Sequence, residues 1–153
     1  MNGKMNVGEL CTRSTVFGHG SMSVSEAARL MLEHHVGSLV IVDETDEGRV
    51  LMGMLTDRDI VVAVVARDFN AQTVRSADIM SRDLVTCHTE DSLDTALGHM
   101  QYHGVRRIPV VDEKNVLVGI ITMDDLLGVV AENLQAFVEI VDSEHRRETH
   151  VRG

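Results

Sequence analysis

The chain has 153 residues, 44% hydrophobic, 3% aromatic and 25% charged, with a formal net charge of −10. Length and composition fit one ordinary globular domain whose core is aliphatic, since there is no Trp. They exclude a helix of about 18 apolar residues crossing a membrane, and the acidic balance opposes a basic surface gripping nucleic-acid phosphates. Residues 1–8 are polar and lack a signal peptide's apolar stretch, so the cytoplasm is the expected compartment.

In chain order the first expected element is a short strand over residues 15–17. A helix follows over 25–35, opened by Ser23-Val24-Ser25-Glu26, which has the spacing of a capping box. Two apolar strands come next, 38–42 and 50–55, joined by an acidic loop that reads as a solvated hairpin turn. A further helix begins near Asp57, and residues 60–65 are apolar on every side. The polar stretch 67–76 is a connector. The order then repeats: strand 84–87, helix 93–103, strands 108–111 and 116–121, and a helix beginning near Met123. Pro109, the only proline, lies inside a strand, which predicts an edge position or an unusual local path. Residues 132–147 read as a helical continuation. The charged end, 144–153, is expected to fray.

The repetition is residue by residue. A shift of 69 puts Val16 on Val85, His19 on His88, Met31 on Met100 and Val42-Asp43-Glu44 on Val111-Asp112-Glu113. After three extra residues in the first acidic loop the shift becomes 66, with Gly53 on Gly119, Thr56 on Thr122 and Asp59 on Asp125. Two copies are too few for a solenoid. They predict two β-α-β-β-α units, residues 7–68 and 76–132, packed about a pseudo-twofold axis, with 133–153 as a helical extension and charged tail.

Each copy ends its last strand with Gly-x-x-Thr-x-x-Asp: Gly53, Thr56 and Asp59, then Gly119, Thr122 and Asp125. At a strand-to-helix junction, free N–H groups and a Thr hydroxyl suit a phosphate. A carboxylate one turn on suits the two hydroxyls of a ribose, and the glycine keeps no ligand away. Thr-x-x-Asp is equally a capping box that needs no ligand, and the two roles can coexist. Arg106 and Arg107 precede the second copy's strand as a candidate phosphate clamp, since guanidinium binds phosphate bidentately; the other reading is a solvated strand start. Their counterparts are Gly37 and Ser38, and Arg58 in the first turn partly compensates.

Cys11 and Cys87 do not occupy equivalent positions and read as buried, reduced thiols. His99 and His103 have a helical ligand spacing but no third partner nearby, so no metal site is expected. No nucleophile with a nearby base, phosphate-loop lysine or dinucleotide glycine motif is present, which argues against an enzyme.

The doubled unit, the Val-Gly-Ser-Leu-Val-Ile-Val-Asp and Val-Arg-Arg-Ile-Pro-Val-Val-Asp strands and the paired turns resemble a tandem pair of cystathionine-β-synthase (CBS) domains, a Bateman module. Asp78-Ile79-Met80 before Leu84-Val85-Thr86 resembles the family's approach to a second copy. The resemblance implies a free-standing regulatory module with two clefts for an adenosine-containing ligand such as AMP, ADP, ATP or S-adenosylmethionine, and no required cofactor. It implies that Asp59 and Asp125 hold ribose and that Thr56, Thr122, Arg106 and Arg107 serve phosphate, to which the place of Arg58 in the first turn adds a further phosphate candidate. Adenine would lie near Val16, Val85 and Pro109. Copy one departs from the pattern, with Val40 where proline is usual and no basic residue before its strand. The resemblance also implies an unidentified protein target and a homodimer joined through residues 60–65 and 126–130. Two alternatives are a structural dimerisation module with empty clefts, and a tail that folds back over those apolar faces.

Overall fold

The computed structural model describes residues 5–152. It contains two three-stranded sheets, one per repeat. The first repeat runs α1 (Val7–Leu10), β1 (Phe17–His19), α2 (Val24–His34), β2 (Ser38–Thr45), β3 (Gly48–Thr56) and α3 (Asp57–Ile60), followed by a π-helical turn, Val61–Val65. The second runs α4 (Ser76–Ile79), β4 (Cys87–His88), α5 (Leu93–His103), β5 (Arg107–Val111), β6 (Leu117–Thr122) and α6 (Met123–Arg152). In each sheet the short first strand pairs parallel with the second, and the second pairs antiparallel with the third. Matched bulges interrupt the register at Ile41/Val42 and at Val110/Val111.

Local chemistry explains the helix ends. The Ser23 and Ser92 hydroxyls accept from the amides of Glu26 and Thr95. The helices stop at His35 and Gly104, both left-handed with φ of 55° and 64°. Gly104 adopts that backbone freely, whereas His35 does so against its Cβ.

The two repeats are laced together about a pseudo-twofold axis. The lead-in segment of each repeat lies on the other repeat's sheet. Thr12 bridges to Ile120 in β6, and its counterpart Ser81 bridges to Met54 in β3. Asn6 bridges to Ser92, and its counterpart Arg75 bridges to Ser23. The amides of Val7 and Gly8 bond the carbonyls of Asp91 and Thr89 at 2.9 Å, while those of Ser76 and Ala77 bond Met22 and Gly20 at 2.8 and 3.0 Å. Val50 meets its own equivalent, Val116, so these residues straddle the axis. The core follows the exchange: Val7 and Cys11 are buried with Cys87, Met100, Ile108 and Ile121, and Met80 is buried with Met31, Leu39 and Leu55.

Several expectations are corrected. The opening strands, expected at 15–17 and 84–87, are Phe17–His19 and Cys87–His88, because each chain arrives from its lead-in and reaches its partner strand late. The first acidic loop is mostly strand: pairing continues from Asp43 opposite Val50 to Thr45 opposite Gly48, leaving a turn at Asp46 and Glu47. Gly48, with φ of 129°, permits that turn. Pro109 is in the middle strand of its sheet, not at an edge. It faces Ile120, whose own amide and carbonyl bond Thr12 on the far side. The nitrogen of Pro109 therefore points away from β6, beyond the end of β4, and no bond between β5 and β6 is lost. The apolar run 60–65 begins with the last residue of α3 and continues as the π turn Val61–Val65. The charged end does not fray from residue 144; helix continues to Arg152. Nor does the tail fold back: α6 is one continuous helix, and Val61, Val62 and Val65 stay exposed.

Candidate functional site

Both Gly-x-x-Thr-x-x-Asp turns lie where the repeats meet. Each is a capping box. Thr56 N donates to Asp59 Oδ2 at 2.9 Å, and Asp59 N to Thr56 Oγ1 at 3.1 Å. In the second turn Thr122 N donates to Asp125 Oδ2 at 2.9 Å, and Asp125 N to Thr122 Oγ1 at 3.2 Å. All four residues are half-buried. Each cap uses one carboxylate oxygen, so the second oxygen of Asp59 and of Asp125 remains able to accept from a ligand.

The start of each middle strand adjoins its turn. Ser38 is in register with Thr56, and Arg107 with Thr122. Asp57 N donates to Gly37 O at 2.9 Å, as Met123 N does to Arg106 O at 2.7 Å. Arg107 Nη1 donates to Ser38 Oγ at 2.7 Å. Ser38 is the repeat equivalent of Arg107, so the arginine spans the pseudo-axis and ties the two turns into one row. Sequence reasoning missed Ser38. Its signal was the repeat itself, because residues beside a twofold axis meet their own counterparts. Arg58 and Arg106 are exposed beside the first and second turns.

Val16 joins an apolar cluster that includes Val36 and Ile60, and Val85 joins one that includes Val105 and Met123, which sets each beside its own turn. The backbones differ. Val40 N donates to Val16 O at 3.4 Å. Pro109 stands at the equivalent place and has no N–H, so it leaves the Val85 carbonyl without that donor.

The motif glycines have another physical role than clearing a path for a ligand. A Cβ on Gly119 would come within 2.4 Å of the Thr12 carbonyl oxygen, and one on Gly53 within 2.7 Å of the Ser81 oxygen. Each glycine is where the exchanged lead-in segment crosses the strand.

A cavity of about 430 Å³ lies at the opposite end of the first sheet, lined by residues including His19, Glu44, Met52, Arg75, Met80 and Arg82. None of the candidate ribose or phosphate residues lines it. His19 Nε2 lies 3.2 Å from Glu44 Oε1, which also accepts from Arg49 at 3.0 Å. Cys11 and Cys87 are buried free thiols. Burial, with Asp91 adding to it, pushes the Cys87 thiol up to about 11. The His99 and His103 rings stack on the α5 surface, and no group of three metal-ligating side chains is assembled among the described residues. No described helix is long and apolar enough to cross a membrane.

Comparison with known proteins gives the same architecture. The CBS domain family matches residues 7–66 and 76–132. An uncharacterized protein of Methanopyrus kandleri, MK0525, is 38% identical over 125 residues, covering 82% of this chain but only 62% of its relative. The crystal structure of Hypoxic Response Protein I with two coordinated zinc ions superposes with a TM-score of 0.70 at 30% identity, covering 80% of this chain and 96% of the other. The CBS domain pair of protein MJ0100 in complex with 5'-methylthioadenosine and S-adenosyl-L-methionine gives 0.70 at 27% identity, covering 84% and 97%. The chain belongs to the CBS domain family, as a tandem pair of repeats.

Proposed function

We propose that this chain is a regulatory sensor that binds an adenosine-containing ligand and signals to a partner protein or through its own assembly. The second repeat's cleft is the principal site. The observation that carries this reading is that the strand led by Arg106 and Arg107 begins beside Thr122 and Asp125, next to a Val85 carbonyl to which Pro109 gives no donor. In this reading Asp125 holds ribose, Thr122 and the two arginines take phosphate, and Val85 with Pro109 bounds adenine. Asp59, Thr56, Arg58 and Val16 form the weaker counterpart, where the Val40 amide already occupies the Val16 carbonyl. The relationship to the MJ0100 pair, crystallised with two adenosine compounds, supports the ligand class. A second copy covers the apolar faces left exposed at Val61, Val62 and Val65 and at Leu127 and Val130.

A second reading has its own observation. Both Thr-x-x-Asp turns are complete capping boxes made from the chain's own atoms, a role that a purely structural dimerisation module also gives them. Thermal unfolding and titration calorimetry with AMP, ADP, ATP, S-adenosylmethionine and methylthioadenosine separate the two. A ligand of the native state raises its stability by mass action. Saturable heat with at least one compound is the expected result. No heat and no shift from any of them at millimolar concentration sinks the sensor and leaves the structural module.

A further inference from the structure

We infer that the outer part of α6 pairs with the α6 of a second copy, side by side and antiparallel. This rests on the homodimer proposed above and specifies its contact surface. Helix α6 has 30 residues, about 45 Å at 1.5 Å per residue. It contacts its own module through Leu126, buried, and Val129 and Asn133, half-buried; from Leu134 to Val151 every side chain is exposed. A lone helix in water has nothing to hold it except a partner for its apolar face.

The face is a narrow seam. Leu127, Val130, Leu134, Phe137 and Val141 follow one another at intervals of three and four, and each is between 52% and 59% exposed. That is the spacing of the inner positions of a two-helix coiled coil. Val138 and Ile140 widen the stripe, one on each side.

Charge selects the occupant and its direction. Between Met123 and Glu144 the helix carries six carboxylates (Asp124, Asp125, Glu132, Glu139, Asp142, Glu144) and no Lys or Arg. Arg146, Arg147 and Arg152 all lie beyond. Two parallel copies would bring Glu144 and Glu148, which continue the seam at the same intervals, face to face with themselves. Antiparallel copies set the basic end of one against the acidic start of the other. With Leu134 facing the second copy's Phe137, Val130 faces its Val141, Leu127 covers the stem of its Glu144, and its His145 and Arg147 flank Asp124 and Leu126. Such a pairing maps each helix onto the other by a twofold axis near residues 135 and 136, so it closes as a dimer.

Distances between spin labels test both the surface and its direction in the full chain. The native thiols are buried, so an introduced exposed cysteine takes the label. In the antiparallel pair, Gln135→Cys labels lie beside the axis and come close together. Thr149→Cys labels are separated by about 40 Å along the helices, from 27 residues at 1.5 Å each. Short distances at both positions mean a parallel pair and overturn the inference. Leu134→Glu with Phe137→Glu, both at exposed positions, converts the dimer to monomer by light scattering at micromolar concentration. A dimer that survives this double change keeps the homodimer but removes α6 from it. A monomeric mass for the unaltered chain removes both.

Discussion

The two turns at the repeat junction share a motif and a fold but not a chemistry. In the first, Gly37, Ser38 and Val40 accompany Asp57 and Asp59. In the second, Arg106, Arg107 and Pro109 accompany Met123 and Asp125. Backbone geometry is common to both, down to the bond from the residue after Thr to the carbonyl at the strand start. The difference is in charge and in one amide. The lesson is that the shared geometry of the repeat builds the junction, whereas its charge and its free hydrogen-bonding groups come from residues that the repeat does not share. A row of capping boxes is common to the two; an arginine pair at the strand start and an open carbonyl belong to one.

The largest expected effect breaks what the two turns share. Gly119→Ala drives a Cβ into the Thr12 carbonyl, and we expect it to cost about 3 kcal/mol or more, as overpacking against unyielding backbone does. That corresponds to a fall in Tm of roughly 6–12 °C. Gly53→Ala, with its nearest contacts at 2.7 Å and one of them the flexible Met80 sulfur, costs less. Equal, negligible shifts in thermal unfolding would mean that the lead-in segments do not cross there.

What the turns do not share is sharpened by three further changes. On the proposed ribose role, Asp125→Ala is expected to weaken adenosine-ligand binding by about 1.5–3 kcal/mol through lost charge-assisted hydrogen bonds, while Asp59→Ala has the smaller effect. Calorimetry on both folded variants checks this, and the reverse order moves the principal site to the first repeat. Replacing Arg106 and Arg107 together with Ala narrows the affinity gap between adenosine and AMP by about tenfold, or 1.4 kcal/mol. An undiminished gap transfers the phosphate role to Arg58. Ser76 stands where the first repeat has Val7; it is fully buried, and its hydroxyl has no partner. Ser76→Ala relieves that burden and stabilises the fold by about 1 kcal/mol, seen as a raised urea midpoint at unchanged slope.

The smallest effect comes from the helix ends. His35→Gly gives the first repeat the C-terminal stop that Gly104 provides in the second, and gains about 0.5 kcal/mol after the greater chain entropy of glycine is offset. A loss of stability would mean that His35 makes a contact worth more than its strain.

Much of the fold was legible because the repeat makes each half a check on the other. Helix α5 falls at Leu93–His103 as expected, because Ser92 caps one end and Gly104 ends the other. The two Thr-x-x-Asp turns fall at strand-to-helix junctions for the same local reason. What escaped were features set by contacts across the axis. Nothing local to Val7, Cys11 or Met80 says that their neighbours lie in the other repeat. Strand pairing across the three-residue insertion outweighed the turn-like composition of Asp43, Glu44 and Thr45. The bond from Arg107 to Ser38 joins residues that no motif connects. Pro109 reads as an edge residue by propensity, yet the short β4 leaves an unoccupied place for it inside the sheet.

The crossing of the lead-in segments bears on how the chain acquires its structure. Neither repeat completes its sheet or its core with its own residues, so neither is a folding unit, and the halves must form together. The contacts that close the molecule join residues far apart in sequence, which slows folding relative to a chain of local contacts. A single repeat released from the other would carry a lead-in with no sheet to lie on and a sheet with one edge bare. Two such fragments would satisfy each other by the same exchange, turning an intramolecular twofold into an intermolecular one.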